Sequence, residues 1–581
     1  MGNLFASFNT GVSGLKSAQT SLFTTAHNLA NVKTEGYSRQ QAIVTDYQYA
    51  ATYGAYSNKA MVGLGTNVAE VRQVRNTFLD AQYRIQNGRE EFYDAQYKTV
   101  TEIEDLLGEV HGEAFLNSVT DLKGAISELA KTPNDIVLRA ELVSFASKFV
   151  ERASVLQGQL NSYQENQNEE IQNQVDTIND IVGQIKDYNV LIRRYEATGE
   201  RANDYRDSRN QLLDKLSGIV NIDTNEDIDG TISIFSEGQY LLTNITQFKL
   251  TTAYEEEQSS LLKPVWENGG DFFAKGELSY SSIDNSDVGS LKGLLVARGP
   301  RRANYTDIPQ QPTEAEYTDD AGVLDKDAYN LAMFNYGKQV DEYNANVAPS
   351  TVMSVQAQLD QLVHGIVTMV NDMFCPNKTL DDGSVVLDTD VAGIGDDANQ
   401  TMGTELFVRR SMERYTVTDD GSGNKVYTYN EEDPNNKYSL YTCDQLEVNP
   451  QLIQDPSKLP LNENEKSGFV DGFTLTLCQN MLDKWDDEFS TLDPNTMTAY
   501  SFQDYYGAMI GQLGTDGNVW SGIVSNQELT VKAINDERQN VMGVSSDEEL
   551  SSLVQFQQCY NASSRYINVI DEMLESLITN L

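Results

Sequence analysis

Apolar residues recur every seven positions at both ends of the chain, and this constrains the fold more than any other pattern in it. Phe8, Leu15, Leu22 and Leu29 form one row near the start. Leu553, Tyr560, Ile567, Leu574 and Leu581 form another at the end, with Phe556, Ile570 and Leu577 three residues behind. A seven-residue repeat marks a helix that buries a narrow stripe against another helix. Seams that reach both termini close most simply on each other. The middle of the chain is then a large insertion carried on a helical stalk.

With 581 residues, about three to five domains of ~100–200 residues each are expected. Residues 3–31 predict one amphipathic helix, in which Gly11 and Gly14 each cost up to ~1 kcal/mol relative to alanine, so the helix is predicted to be marginal alone. The pattern stops at Thr34-Glu35-Gly36-Tyr37, and residues 45–70 have extended or loop character. Helical periodicity returns over 75–110, with Phe78, Ile85, Phe92 and Leu106 in seven-residue register, and continues over 115–130 and 135–195. Ile171, Ile178, Ile185 and Ile192, with Val175 and Val182, predict a coiled-coil-like seam. Alternating Val, Ile, Thr and Phe around Asp229-Gly230 and Glu237-Gly238 predict short strands and hairpins over 219–250. Residues 250–345 and 376–465 are acidic and turn-rich, 352–373 are helical, and helix resumes near 470. Met542-Gly543 breaks that last stretch, and Ser546 with Glu549 predicts a capping box for the final helix.

The expected fold class is multidomain α+β: a paired N- and C-terminal helical stalk, a helical middle domain and an inserted β-rich outer domain. The expected boundaries are 1–44 with 530–581 for the inner terminal domain, 45–220 with 350–375 and 468–529 for the middle domain, and 221–349 with 376–467 for the outer domain.

Charge and chemistry exclude several functions. A net charge of −45 without a basic arm argues against nucleic acid and anionic membranes as partners. Arg298, Arg301 and Arg302 read as a solvated loop. No apolar run reaches the ~18 residues of a membrane span, and Met1 to Phe23 lacks the apolar core of a cleaved signal peptide. Tyrosine, with 30 residues, outnumbers the 20 phenylalanines and three tryptophans together, which suits half-buried positions and wet interfaces. Cys375, Cys443, Cys478 and Cys559 are far apart and form no CxxC pair, so a zinc site is not expected. Of three histidines, His27, His111 and His364, only His111-Gly-Glu113 has a known metal-site spacing, and the PCxxC that should follow is missing. Asp381, Asp382, Asp388, Asp390, Asp396 and Asp397 lack EF-hand spacing and read as a solvated acidic loop. No catalytic, cofactor or metal site is predicted.

The stretch Asn28-Leu-Ala-Asn31-Val-Lys-Thr34-Glu-Gly36-Tyr37-Ser38-Arg39-Gln40 closely resembles the N-terminal signature of bacterial flagellar rod, hook and hook-associated proteins. Its Gly-Tyr-Ser-Arg-Gln ending is most similar to the hook-associated members. Asn31 and Gly36 can end a helix and turn the chain; Tyr37 and Arg39 offer a ring and a bidentate donor at the exit. Leu553-Val-Gln-Phe556-Gln-Gln-Cys-Tyr560-Asn-Ala562, followed by Asp571-Glu572-Met573-Leu574, is similar to the family's closing helix. Ala202-Asn203-Asp204 through Asp214, Gln358 to Leu362 and Val448-Asn449-Pro450 are further matches, whereas 251–345 and 376–445 match nothing in the family.

The resemblance implies a structural adaptor that joins hook to filament, is exported without a cleaved signal peptide and polymerises outside the cell. Rival readings are another axial protein of the hook type and an exported adhesin on a flagellar-type stalk. Implied partners are copies of itself in a ring, hook protein below, a second junction protein above, and a cytosolic export chaperone at the C-terminal helix. The polymerisation contacts expected on this basis are Phe8, Leu15, Leu22, Leu29, Leu553, Phe556, Tyr560, Ile567, Ile570, Leu574 and Leu577. Asn28, Asn31, Thr34, Gly36, Tyr37, Ser38 and Arg39 carry the family motif. Cys559 departs from the small residue usual there.

Overall fold

The structure is a computed structural model that describes residues 2–579 apart from 54–58, 108–114, 133, 257–258, 274–279, 319–321, 381–382, 420–424 and 465–472. His111, Glu113, Asp381, Asp382 and Leu581 therefore lie outside the described residues. The chain opens with α1 (Gly2–Ala30), followed by β1 (Gln40–Asp46), β2 (Tyr49–Tyr53), β3 (Lys59–Gly63) and β4 (Thr66–Gln73). β1 pairs antiparallel with β4, and β2 with β3. The stretch without helical period is thus a doubled hairpin, and its β1–β4 end lies against α1.

Four helices follow: α2 (Thr77–Leu107), α3 (Phe115–Lys131), α4 (Ile136–Glu196) and α5 (Asn203–Ile219). The Asp135 side chain accepts from Val137 N–H and so starts α4, satisfying a helix-end donor. At 61 residues, α4 is about 90 Å long. The predicted seam is there: Ile171, Val175, Ile178, Val182, Ile185 and Ile192 are all buried. Its partner differs from the expectation. These side chains face α5 and a β layer rather than a second long helix. A seven-residue row reports one narrow buried stripe and not what covers it.

That β layer is β5 (Asp223–Glu226), β6 (Ile232–Ser236), β7 (Gln239–Thr243) and β8 (Thr246–Gln247) in sequential antiparallel order, next to the hairpin of β9 (Leu250–Tyr254) and β10 (Leu262–Trp266). Glu237 and Gly238, both at positive φ, make the two-residue turn between β6 and β7. Next come α6 (Ser290–Arg298), α7 (Lys326–Asn346) and α8 (Thr351–Phe374). The third segment holds β11 (Asn377–Thr379), β12 (Val385–Leu387), β13 (Phe407–Arg409), β14 (Tyr415–Asp419), β15 (Lys425–Tyr429), β16 (Leu446–Val448) and α9 (Pro450–Gln454). The chain closes with α10 (Phe473–Asp486), β17 (Ser490–Thr491), β18 (Ala499–Tyr500), α11 (Phe502–Met542) and α12 (Ser546–Thr579).

Two large cores share α4. The first half of α4, with Leu142, Phe149 and Leu160, packs with α3, α8, α10, α11 and the strands near Phe407 and Leu446. The second half packs with α5, Ile232 and Ile234 of β6, Trp266 and Leu291 of α6. Residues 221–349 and 376–467 were expected to form one outer domain. Their apolar residues instead go into different cores: Ile234, Trp266 and Phe272 into the second, and Leu387, Phe407 and Leu452 into the first.

α2 and Arg298 also differ from the expectation. In α2 the buried row is Leu79, Arg84, Gly88, Phe92, Gln96, Val100, Ile103 and Leu107, while Phe78 is 66% exposed. The row passes through polar residues because distant partners meet them: Gln96 donates to Gly293 O at 2.8 Å and Arg84 to Asp214 at 2.8 Å. Arg298 is not in a solvated loop. It is 1% exposed and donates to Leu262 O at 2.7 Å, Asn168 at 3.1 Å and Glu255 at 3.1 Å. Arg301 and Arg302 stay partly exposed and pair with Asp307 and Glu165.

Among the described residues, no helix is long and apolar enough to cross a membrane, and no group of three or more His, Cys, Asp or Glu is placed to hold a metal ion. In the acidic stretch Asp388 and Asp390 pair with Lys378, and Asp397 accepts from Thr401 N–H. The four cysteines are unpaired; Cys375, Cys443 and Cys478 are buried and Cys559 is exposed.

Candidate assembly site at the two chain ends

α1 and α12 run antiparallel along each other, with Gly11 beside Ile567 and Gly14 beside Ser563. A Cβ at Gly11 would stand 2.8 Å from Ile567 Cγ1. The glycines that weaken α1 in isolation let the two backbones approach.

The predicted rows face this pairing but are not sealed by it. Phe8, Leu15, Leu22, Leu29, Leu553, Phe556, Tyr560, Ile567 and Leu574 are half-buried, Ile570 is buried, and Leu577 is exposed. Among the described side chains of α1, the buried positions are Gly11, Ser17, Ala18, Ser21, Thr24, Thr25 and Asn28. No hydrophobic pattern marks this row, and small size is its only signal. Small side chains admit the β1–β4 ladder: Thr66 N–H donates to Ser13 Oγ at 3.1 Å and Thr66 Oγ1 to Ser17 Oγ at 3.1 Å. Ser21 and Thr24 satisfy their buried hydroxyls on carbonyls one turn back, as such residues do inside helices. A groove of about 750 Å³ between α1 and β4 is lined by Val12, Lys16, Thr20, Tyr47 and Val68.

The motif residues converge on an elbow between α1 and β1. Asn31 N–H returns to His27 O at 3.2 Å, and Thr34 N–H to Asn31 O at 2.9 Å. Gly36 sits at φ +73°, where a Cβ would collide with Gln211, so glycine is required here. Gln211 in turn donates to Glu35 O. Tyr37 meets His27 edge-on at 5.5 Å and donates its hydroxyl to Asn28 Oδ1 at 2.8 Å. Burial first, then the charges of Asp204, Asp207 and Glu549, hold the Tyr37 phenol well above its usual range, so it remains a donor.

Ser38 is buried, and its N–H donates to Asp207 Oδ2 at 3.1 Å. Burial pushes the Asp207 carboxyl up to about 6, against its hydrogen bonds from Ser38 and the nearby Arg75 charge. Arg39 Nε donates to Glu549 Oε1 at 2.7 Å while its Nη1 lies 3.8 Å from Glu548. The guanidinium thus spans two carboxylates rather than binding one in the expected bidentate fashion. Glu549, expected to cap its own helix, instead faces Asn28 and Arg39. Residues 202–214, matched in sequence to the same family, supply the opposite wall: Asn203 donates to Val71 O at 3.0 Å, and Gln40 to Asp204 at 3.1 Å.

Beneath the elbow lies an ionic network that sequence reading missed. Arg538 of α11 bridges Asp80 at 3.0 Å and Asp214 at 2.8 Å and lies over the Tyr83 ring at 4.2 Å. Arg75 pairs with Asp80 at 2.8 Å. α2, α5 and α11 are therefore tied together where they meet the motif. The arrangement holds helices and directs them; its charged groups neutralise one another.

Residues 8–37 match the family described as flagella basal body rod protein, residues 100–382 the flagellar hook-associated protein FlgK helical domain, and residues 538–581 the flagellar basal body rod FlgEFG protein C-terminal family. The chain is similar along its whole length to flagellar hook-associated protein 1 of Bacillus subtilis, at 23% identity over 100% of this chain and 99% of the relative. The Escherichia coli protein of the same name is 24% identical over 98% of each chain. Among solved structures, the flagellar hook junction protein FlgK from Burkholderia pseudomallei aligns with 79% of this chain and 100% of its own, at 12% identity and a TM-score of 0.49.

Proposed function

We infer that this chain is a hook-associated axial protein of the bacterial flagellum, a structural subunit that joins hook to filament. One observation carries this reading. The segments matching rod-type families, 8–37 and 538–581, lie at opposite ends of the chain yet meet at one elbow, where Asn28 donates to Glu549, and 100–382 between them match the hook-associated helical domain. That last match favours the junction reading over a hook-type subunit.

The finer reading follows from how the ends are packed. α12 has two buried residues among 34, so most of its surface is left for neighbours: further copies in a ring, hook protein below, the second junction protein above and, before export, a cytosolic chaperone. The groove between α1 and β4 is a second such surface. Such marginally packed ends suit a chain that leaves the cell unfolded, keeps its N-terminal segment and orders its ends on assembly. On this reading the protein works outside the cell, without catalysis and without a cofactor. Because β1 and β4 lie on α1, we take residues 40–73 with the terminal helices rather than with the middle domain.

Deleting the gene tests this reading. Hooks without filaments, with filament protein shed into the medium, are expected; intact filaments overturn it. Removing residues 545–581 is expected to leave the middle of the chain folded but unable to join the polymer.

A further inference from the structure

Glu549, in the first turn of α12, is 2% exposed. Its burial is not that of an apolar core. One carboxylate joins the two chain ends: Oε1 accepts from Arg39 Nε at 2.7 Å and Oε2 from Asn28 Nδ2 at 3.1 Å. Asn28 is itself fixed, since its Oδ1 accepts from Tyr37 OH at 2.8 Å and Gln40 N–H at 2.9 Å, and its amide also donates to Gln40 O at 2.9 Å. Arg39 is fixed as well, because its N–H donates at 2.8 Å to the carbonyl of Met542, the last residue of α11. The end of α1, the start of β1, the end of α11 and the start of α12 thus meet within a few bonds of one side chain.

The chain leaves the middle of the molecule for α12 through Gly543-Val544-Ser545 alone. A three-residue link beginning with glycine has backbone freedom that apolar packing, being non-directional, restrains poorly. Charge-assisted hydrogen bonds are directional. A buried ion pair adds little net stability but can select one geometry.

We propose that Glu549 is a positioning residue for assembly: by holding Asn28 and Arg39 with one carboxylate, it fixes the direction in which the terminal helix pair leaves the middle of the molecule. Its importance for assembly rests on the axial-subunit reading, but the geometric claim stands apart and is testable on the isolated full chain.

Cys559 is exposed and the other three cysteines are buried, so a spin label attaches at Cys559. A second goes on Ser525→Cys, at an exposed position of α11. The two sites lie within about 50 Å along the helices, a range that pulsed electron spin resonance measures. A narrow distance distribution is expected for the parent. Glu549→Ala and Arg39→Ala should at least double its width, with the melting of the middle of the chain unchanged. Glu549→Gln keeps the shape without the charge and should broaden it less; it carries the test if Glu549→Ala loses α12 helix by circular dichroism. Gly14→Ala crowds the helix pair at Ser563, about 20 Å along α1 from Asn28, and should leave the width unaltered.

A distribution as narrow as the parent's in Glu549→Ala, or equal broadening in Gly14→Ala, overturns the proposal. In cells, Glu549→Ala should cut filament number about tenfold. Normal filaments despite a broadened joint overturn the assembly role, whereas filaments surviving gene deletion overturn the axial reading itself.

Discussion

α8 and α12 are both long helices with apolar residues at helical spacing, yet they are different kinds of object. α8 buries 16 of its 24 residues, including Leu359, Leu362, Val363 and Ile366. α12 buries two of 34, Glu549 and Ile570. Fully burying a Val, Leu or Ile side chain contributes about 1.5–3 kcal/mol, so α8 is held by its own chain. The exposed Leu550, Val554, Val569, Met573 and Ile578 of α12 leave most of that contribution unrealised until something covers them. The molecule is closed around α8 and left open along α12.

The sharpest way to break this contrast is Trp485→Ala. Trp485 is 0% exposed and stacks edge-on with Phe502 at 5.8 Å. Its loss should cost about 3–5 kcal/mol, read as a lower denaturant midpoint by circular dichroism. An unchanged midpoint would mean that the middle of the chain is no firmer than its ends.

Next is acidity. Burial pushes the Glu405 carboxyl up to about 7, opposed by the Tyr441 hydroxyl that donates to it at 2.6 Å, and pushes Asp360 up to about 6. Both hold protons in the fold at pH values where the unfolded chain has released them. Their contribution to stability is complete below about pH 4, fades as pH rises through 6 and 7, and then levels. Raising Glu405 from 4.5 to about 7 is worth about 3 kcal/mol. Relative to the parent, Glu405→Gln should therefore gain up to about that much between pH 5 and 8 in chemical denaturation. A pH-independent difference would show that Glu405 titrates normally.

Smaller effects belong to the ends. Gly11→Leu forces α1 away from Ile567 and should destabilise the pair by about 1–3 kcal/mol, seen as faster amide hydrogen exchange in α1 and α12 with no change in α8. Leu553→Ala, at a half-buried position, should cost only about 1 kcal/mol in the free chain by the same exchange measurement. A loss matching that of Trp485→Ala would make the terminal pair an ordinary core and erase the contrast.

Periodicity made the helices legible, including both terminal rows, the isoleucine seam of α4 and the hairpins around Gly230 and Gly238. It reported stripes without their covers. The seam of α4 meets a β layer, because an apolar row carries no record of what lies opposite. The face of α1 that is most deeply buried is written in glycine, serine and threonine, which no hydrophobic count detects. Arg84, Gln96 and Arg298 are buried by partners tens to about two hundred residues away, so local patterns place them at the surface. The motif at 28–40 was legible as a family signature. Its mechanical sense was not, since Glu549 lies 510 residues beyond Arg39.

α4 couples the two large cores mechanically. One continuous helix of 61 residues runs through both large cores, so tension applied at one is carried to the other along a line of backbone hydrogen bonds. Neither core can shear or melt without fraying a helix that the other holds. Such a rod passes torque from one core to the other as a rigid lever.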